Sequence, residues 1–241
     1  MDVWYFLYIA AMVGGVLLFW LWSRDPKGVP ADEYAVAMII PIWSGLAYFS
    51  MQSGLGVIEI GGREVFVARY ADWVVTTPLL LYALTSTAYF YRPVRWTLYV
   101  GLVFATVIMI LCGLLGDLAG GAPVQWVWFS LGVGALLTIF ATLWGPMRRD
   151  AAAQSPELGA AYTKSAALFT ALWVGYPTIW ALGPPGLGVI GPGLTVPLLV
   201  VLPIISKVGF SIYDLFEVRK LGAKRAGYGF AGSAPVGGVA A

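Results

Sequence analysis

Lys207 and Asp72 stand in long apolar runs, where ionisable side chains have the most chemistry open to them. A lysine amine held away from water needs a counter-ion or must lose its proton. It is also the side chain suited to condense with an aldehyde as a Schiff base. The neighbouring residues are spaced at helical intervals. Arg69, Asp72 and Thr76 step by three and four, and Pro203, Lys207 and Asp214 step by four and seven. Each set therefore shares one helix face. Asp72 is the natural counter-ion, and Asp214 falls two turns beyond the lysine, roughly 10 Å along a helix. Trp173, Tyr176 and Trp180, with Pro177 beside them, form an aromatic face, and Trp73 follows Asp72. Charges inside a bilayer cost at least ~2.5–3.5 kcal/mol each, which marks them as functional candidates. The competing readings are structural ion pairs, ordinary aromatic packing and interfacial anchoring. The organised spacing of the whole set favours a site.

These residues must be positioned by membrane helices. The chain has 241 residues, 60% hydrophobic and only 11% charged, with a mean hydropathy of +0.83. A soluble domain of this size needs far more charge on its surface. Seven apolar stretches reach the roughly 20 residues needed to span a bilayer. They lie near 3–23, 34–53, 66–87, 94–115, 123–145, 157–182 and 195–218. Polar or Gly/Pro breaks separate them, including 24–28, 91–93, 116–121, 148–156 and 183–193. Between the second and third stretches, residues 57–65 alternate around Gly61-Gly62, which predicts a β-hairpin. The expected architecture is an all-α seven-transmembrane-helix bundle with that hairpin. One domain is expected over 1–225, followed by a Gly/Ala-rich, disordered tail over 226–241.

Composition excludes several functions. A net charge of +2 gives no basis for nucleic-acid binding. One cysteine, Cys112, rules out an intramolecular disulfide framework, and the lack of histidine removes His-based metal sites and Ser-His-Asp catalysis. The first residues lack a basic signal-peptide region, and the apolar run after them reads as the first span. Arg24, Lys27, Arg92, Arg95, Arg148, Arg149, Lys164, Arg219, Lys220, Lys224 and Arg225 gather on one side of the predicted topology, against Arg63 on the other. The positive-inside rule then places the N-terminus outside and the C-terminus in the cytoplasm of a plasma-membrane protein.

The segments Arg69-Tyr70-Ala71-Asp72-Trp73-Val74-Val75-Thr76-Thr77-Pro78 and Trp173-Val174-Gly175-Tyr176-Pro177-Thr178-Ile179-Trp180 resemble the third and sixth helices of bacteriorhodopsin and its relatives. Ser206-Lys207-Val208-Gly209-Phe210 resembles their retinal-lysine segment; Pro41, Tyr48 and Met109 fit the second and fourth helices. The resemblance to microbial rhodopsins covers all seven stretches in order. It implies retinal, all-trans in the dark, bound to Lys207 as a protonated Schiff base with Asp72 as counter-ion. Trp73, Thr77, Met109, Trp173, Tyr176, Pro177, Trp180, Pro203 and Ser206 would contribute to the pocket, with Phe129 a further pocket candidate. Oligomers, trimers among them, are expected by analogy.

The departures from the outward-pump pattern separate the possible functions. Outward pumps carry a second aspartate four residues before the lysine, where this chain has Pro203. They carry a carboxylic proton donor eleven residues after the counter-ion, where this chain has Ala83. Pro185 and Thr195 stand where an outer acidic pair is expected. Pro203 together with Asp214 resembles the xenorhodopsins, which are inward proton pumps, and the cyanobacterial sensory rhodopsin that uses a soluble transducer. Inward proton transport with Asp214 on the acceptor route is the leading expectation. A photosensor with a partner protein and an outward pump are the rivals, and Asp72 disfavours a chloride pump. Pro203 read as a packing kink and Asp214 read as a boundary residue near Arg219 or Lys220 are the structural alternatives.

Overall fold

The computed structural model describes residues 3–60 and 62–227. Seven helical segments follow the apolar stretches: α1 (Val3–Ser23), α2 (Ala31–Gln52), α3 (Val67–Ala88), α4 (Trp96–Leu118), α5 (Ala122–Ala152), α6 (Pro156–Leu182) and α7. The last comprises Pro192–Ile204, a π-helical turn at Ile205–Gly209 and Phe210–Gly227. Local chemistry sets several ends. Ser155 accepts from the Leu158 N–H at 3.1 Å ahead of α6, with Pro156 at its first position. Pro192 starts α7 in the same way. Consecutive helices pack against one another from α1 to α5, and α7 touches α1, α2, α3 and α6, which closes the bundle.

Six of the helices are long and apolar enough to cross a membrane by length and composition. The remaining one, α3, carries Arg69, Asp72 and several hydroxyl residues, and buries them toward its neighbours. Leu17, Leu21, Phe104, Ile108, Leu131 and Leu137 instead point outward, as a lipid-facing surface requires. Tyr8, Met12, Phe19, Tyr34 and Tyr48 belong to one packed cluster, and Leu81, Leu84, Ile139, Tyr162, Phe169 and Phe210 to a second.

The expected hairpin forms β1 (Ile58–Ile60) and β2 (Arg63–Val65), antiparallel with Ile58 opposite Val65. Gly62 has φ +74°, a conformation that favours glycine in the tight turn. Several helices outrun their apolar stretches. α4 continues through Asp117, inside the break expected at 116–121, and α5 continues through Arg148–Ala152 past a π-helical turn at Leu143–Met147. Hydrophobicity marks the span, whereas backbone hydrogen bonding carries a helix into the polar boundary. The expected start of the tail is corrected in the same way, because α7 runs through Gly227. The remainder of that tail, 228–241, lies outside the described residues.

The bundle therefore has two distinct ends. At the hairpin end lie the α2–α3, α4–α5 and α6–α7 connections; at the basic end lie the other three and the last turns of α7. Gly28, at φ +77°, lets the α1–α2 connection approach Gly222 of α7 closely at the basic end. Arg219 ties the same two regions together by donating to the Trp22 and Asp25 carbonyls at 3.0 and 2.8 Å and to the Tyr34 hydroxyl at 2.6 Å.

Candidate functional site

Lys207 sits in the π-helical turn of α7 and is 2% exposed. The turn follows Pro203 directly. Proline has no N–H to offer the carbonyl four residues earlier, so the Leu199 oxygen loses its helical partner. Tyr48 on α2 replaces it, donating its hydroxyl to that oxygen at 2.7 Å. Pro203 thus reshapes the helix that carries Lys207; it is buried but is not among the residues that line the cavity.

The Lys207 ammonium donates to Asp72 Oδ2, to Ser44 Oγ at 2.6 Å and to the Tyr8 hydroxyl at 3.4 Å. Asp72 has no exposed surface. It also accepts from Ser44 at 2.9 Å and from Thr76 Oγ1 at 3.3 Å. A buried carboxylate and a buried ammonium therefore face one another with polar donors around them, the arrangement that makes burial of both charges tolerable. Arg69, one turn nearer the hairpin end, lies 4.7 Å from the centre of the Phe66 ring. Its Nε is buried without a partner among the described residues.

From Lys207 a cavity of about 450 Å³ extends through the bundle. Trp73, Thr77, Met109, Trp173, Tyr176, Pro177, Trp180 and Ser206 all line it, as does Phe129. The aromatic walls brace one another. Tyr176 meets Trp73 edge to face at 5.3 Å, Phe129 stacks on Trp180 at 4.9 Å, and Tyr176 shares a hydrogen bond of 2.7 Å with Ser206. Gly113 and Gly132 also line the cavity and permit close packing, since a Cβ would stand 3.3 Å from the Tyr70 ring at Gly113 and 3.4 Å from the Met109 carbonyl at Gly132. A long apolar group anchored at Lys207 Nζ fits this enclosure, with indole faces beside it and a carboxylate at its anchored end.

Asp214 lies apart from this site, toward the basic end, and is 2% exposed. Thr87 of α3 donates to its Oδ2 at 2.9 Å, whereas Oδ1 has no partner among the described residues. Ser165 of α6 is buried beside it. Arg219 is held by Trp22, Asp25 and Tyr34, and Lys220 pairs with Glu217 at 2.7 Å. Asp214 is therefore an interior carboxyl, and the cations considered as its neighbours have other contacts.

Four polar residues escaped the sequence reading. Glu33 at the start of α2 is 4% exposed and close enough to Asp214 for their charges to interact. Asp117 near the end of α4 is buried and accepts from the Tyr70 hydroxyl at 3.1 Å. Both stood outside the predicted spans, where acids are unremarkable. Ser44 and Tyr8 carry no charge, so nothing in composition singles them out; Ser44 does share a face with Pro41 and Tyr48.

Comparison with known proteins agrees with this geometry. The family model for Bacteriorhodopsin-like protein matches residues 1–221. Archaerhodopsin-3 of Halorubrum sodomense is 34% identical over 195 residues, covering 79% of this chain and 74% of its own. Sensory rhodopsin-2 of Natronomonas pharaonis is 32% identical over 227 residues, covering 88% and 93%. Among solved structures, the thermophilic rhodopsin from Rubrobacter xylanophilus superposes with a TM-score of 0.85 at 28% identity, covering 92% of this chain and 96% of its own. The chain belongs to the bacteriorhodopsin-like family of membrane proteins, which carry retinal on a lysine and work as light-driven pumps or photoreceptors rather than as enzymes.

Proposed function

We propose that this chain is a light-driven inward proton pump, with the chromophore on Lys207, Asp72 as counter-ion and Asp214 on the proton-acceptor route. The observation that carries the reading is Asp214, an interior carboxyl on the basic side of Lys207 with one oxygen held by Thr87 and the other without a hydrogen-bond partner among the described residues, the Ser165 hydroxyl lying beside it. The excess of Lys and Arg assigns that side to the cytoplasm. A proton passing from Lys207 toward Asp214 then moves inward.

Retinal, when bound, supplies light absorption and the photochemical change that redirects the N–H of Lys207. The protein's own groups supply the asymmetry. Asp72 keeps its negative charge because Lys207, Ser44 and Thr76 all donate to it. It is therefore a poor place to leave the Nζ proton. Asp214 Oδ1, beside the Ser165 hydroxyl, would take that proton, and Thr87 fixes the second oxygen. Glu33 is a further carboxyl on the way to the basic end. Ala83 withholds the carboxyl that an outward cycle would use to return a proton from the cytoplasm. The pairing of Pro203 with Asp214, which resembles the xenorhodopsins, supports the same direction.

The test is illumination of an unbuffered suspension of cells making the protein with retinal. The external pH should rise, and a protonophore should abolish the change. Acidification sensitive to the protonophore would support an outward pump instead. The similarity to a sensory rhodopsin favours a second reading, in which the basic end docks a signalling partner. That reading predicts no pH change from a pigment that still responds to light.

A further inference from the structure

If Lys207 gives its proton toward Asp214, it must be resupplied from the hairpin end, where Asp72 keeps its charge. The groups on that side of Nζ point to a source. Tyr8 of α1 has no exposed surface, and its ring stacks on Tyr48 with centroids 3.6 Å apart and planes 14° apart. Tyr5 meets Tyr48 edge to face at 5.8 Å. The Tyr8 hydroxyl lies 2.6 Å from Ser44 Oγ and 3.4 Å from Lys207 Nζ.

Counting protons fixes the direction of this chain. Ser44 has one hydroxyl proton and two lone pairs. Its proton goes to Asp72 Oδ2, which as a carboxylate can only accept. The remaining contact, with Tyr8, must therefore be donated by the phenol. The resting order is Tyr8 O–H to Ser44 O–H to Asp72. Once Nζ has lost its proton it becomes an acceptor, and the Ser44 hydroxyl at 2.6 Å needs only to turn from Asp72 Oδ2 to meet it.

We propose that Tyr8 and Ser44 form a hydroxyl relay that returns a proton to Lys207 Nζ from the hairpin end. This inference rests on the inward-pump reading for its place in the cycle. Nζ takes the Ser44 hydroxyl proton, Ser44 takes the Tyr8 phenol proton, and the Tyr8 oxygen regains one from water entering at the hairpin end. One proton enters and one O–H bond is remade at each hydroxyl, so neither residue is consumed. Asp72 stays charged throughout and holds the relay in orientation.

Tyr8→Phe removes the hydroxyl and keeps the ring that stacks on Tyr48. The dark visible band should persist, and loss of the Nζ proton after a flash should keep its rate. Return of the proton, read as recovery of the visible band, should slow by at least ~10-fold, because positioned proton transfer contributes on the order of 10²–10⁴. Azide, a small diffusible proton carrier, should restore the rate. Ser44→Ala should slow the same step, and the double variant should be no slower than the slower single one. A second readout uses the retinal-free protein. The infrared carboxylate band that disappears in Asp72→Asn should shift in Tyr8→Phe, because Ser44 loses its donor. Proton return at the wild-type rate, or an unshifted carboxylate band, overturns the relay. Protonophore-sensitive acidification by the wild type overturns the inward direction, and the flash measurement on Tyr8→Phe still decides the relay separately.

Discussion

Two of the buried aspartates, Asp72 on α3 and Asp214 on α7, have sharply different surroundings. Asp72 has Lys207, Ser44 and Thr76 as donors and no exposed surface. Asp214, almost as buried, has Thr87 on one oxygen and no described partner on the other. One residue type thus serves two purposes through its neighbours alone. A carboxylate saturated with donors holds a charge in place, whereas one with a spare oxygen can take a proton for a time. The first suits a counter-ion and the second a way station. In the proposed inward pump, the direction of transport would follow from which end of the bundle holds which.

The largest effect should come from removing the group that both acids serve. Lys207→Ala should abolish the visible band after addition of retinal, since no other lysine lies deep in a span. A stable, covalently linked visible pigment in that variant would contradict the site assignment.

Changing the saturated acid should come next. Asp72→Asn removes the negative charge opposite Lys207 and should move the protonated pigment's absorption to longer wavelength. An unchanged spectrum would erase the distinction between the two aspartates. Thr87→Val is a gentler change at the other acid. It keeps the side-chain shape and removes the donor to Asp214 Oδ2, so loss of the Nζ proton after a flash should change by a few fold with the dark band unmoved. A hydrogen bond to a charged group is worth ~1.5–3 kcal/mol, which allows such a change in rate. Identical flash kinetics in Thr87→Val and wild type would mean that Thr87 does not set the behaviour of Asp214.

The smallest effect tests whether the two ends are independent. Tyr48→Phe leaves the Leu199 carbonyl without its donor at Pro203. It should cost about 1–3 kcal/mol and lower the thermal midpoint by about 2–12 °C. The rate of proton arrival at Asp214 should stay the same. A change in that rate would show that the kink at Pro203 couples the hairpin half to the basic half.

Charge made the centre of each region legible in the sequence and left many of the surrounding residues hidden. Lys207, Asp72 and Asp214 stand out because an ionisable residue in an apolar run is costly. The tryptophans and Tyr176 share a face, and the fold places them around one cavity. Glu33 and Asp117 were missed because they lie within a turn or so of helix ends, where the hydropathy signal fades before the helix stops. Ser44 and Tyr8 carry no such signal, since hydroxyl residues are ordinary in membrane helices; only the approach of α1 and α2 to α7 makes them neighbours of Lys207. Helical spacing puts Arg69 on the same face of α3 as Asp72, but its guanidinium packs over Phe66, a contact that spacing alone does not reveal. The π-helical turn at Lys207 depends on how α7 is packed around Pro203 and was likewise silent.

Asp214 separates the inward-pump account from a generic light-sensitive protein, so Asp214→Asn is the most direct measurement. The variant should be compared with wild type by flash photolysis and by the external-pH assay on the same preparations. The dark absorption band should be unchanged. Loss of the proton from Lys207 Nζ should slow by at least ~10-fold, and the light-driven rise in external pH should fall in parallel. Wild-type kinetics together with wild-type transport in Asp214→Asn would contradict the account and leave Asp214 a structural residue.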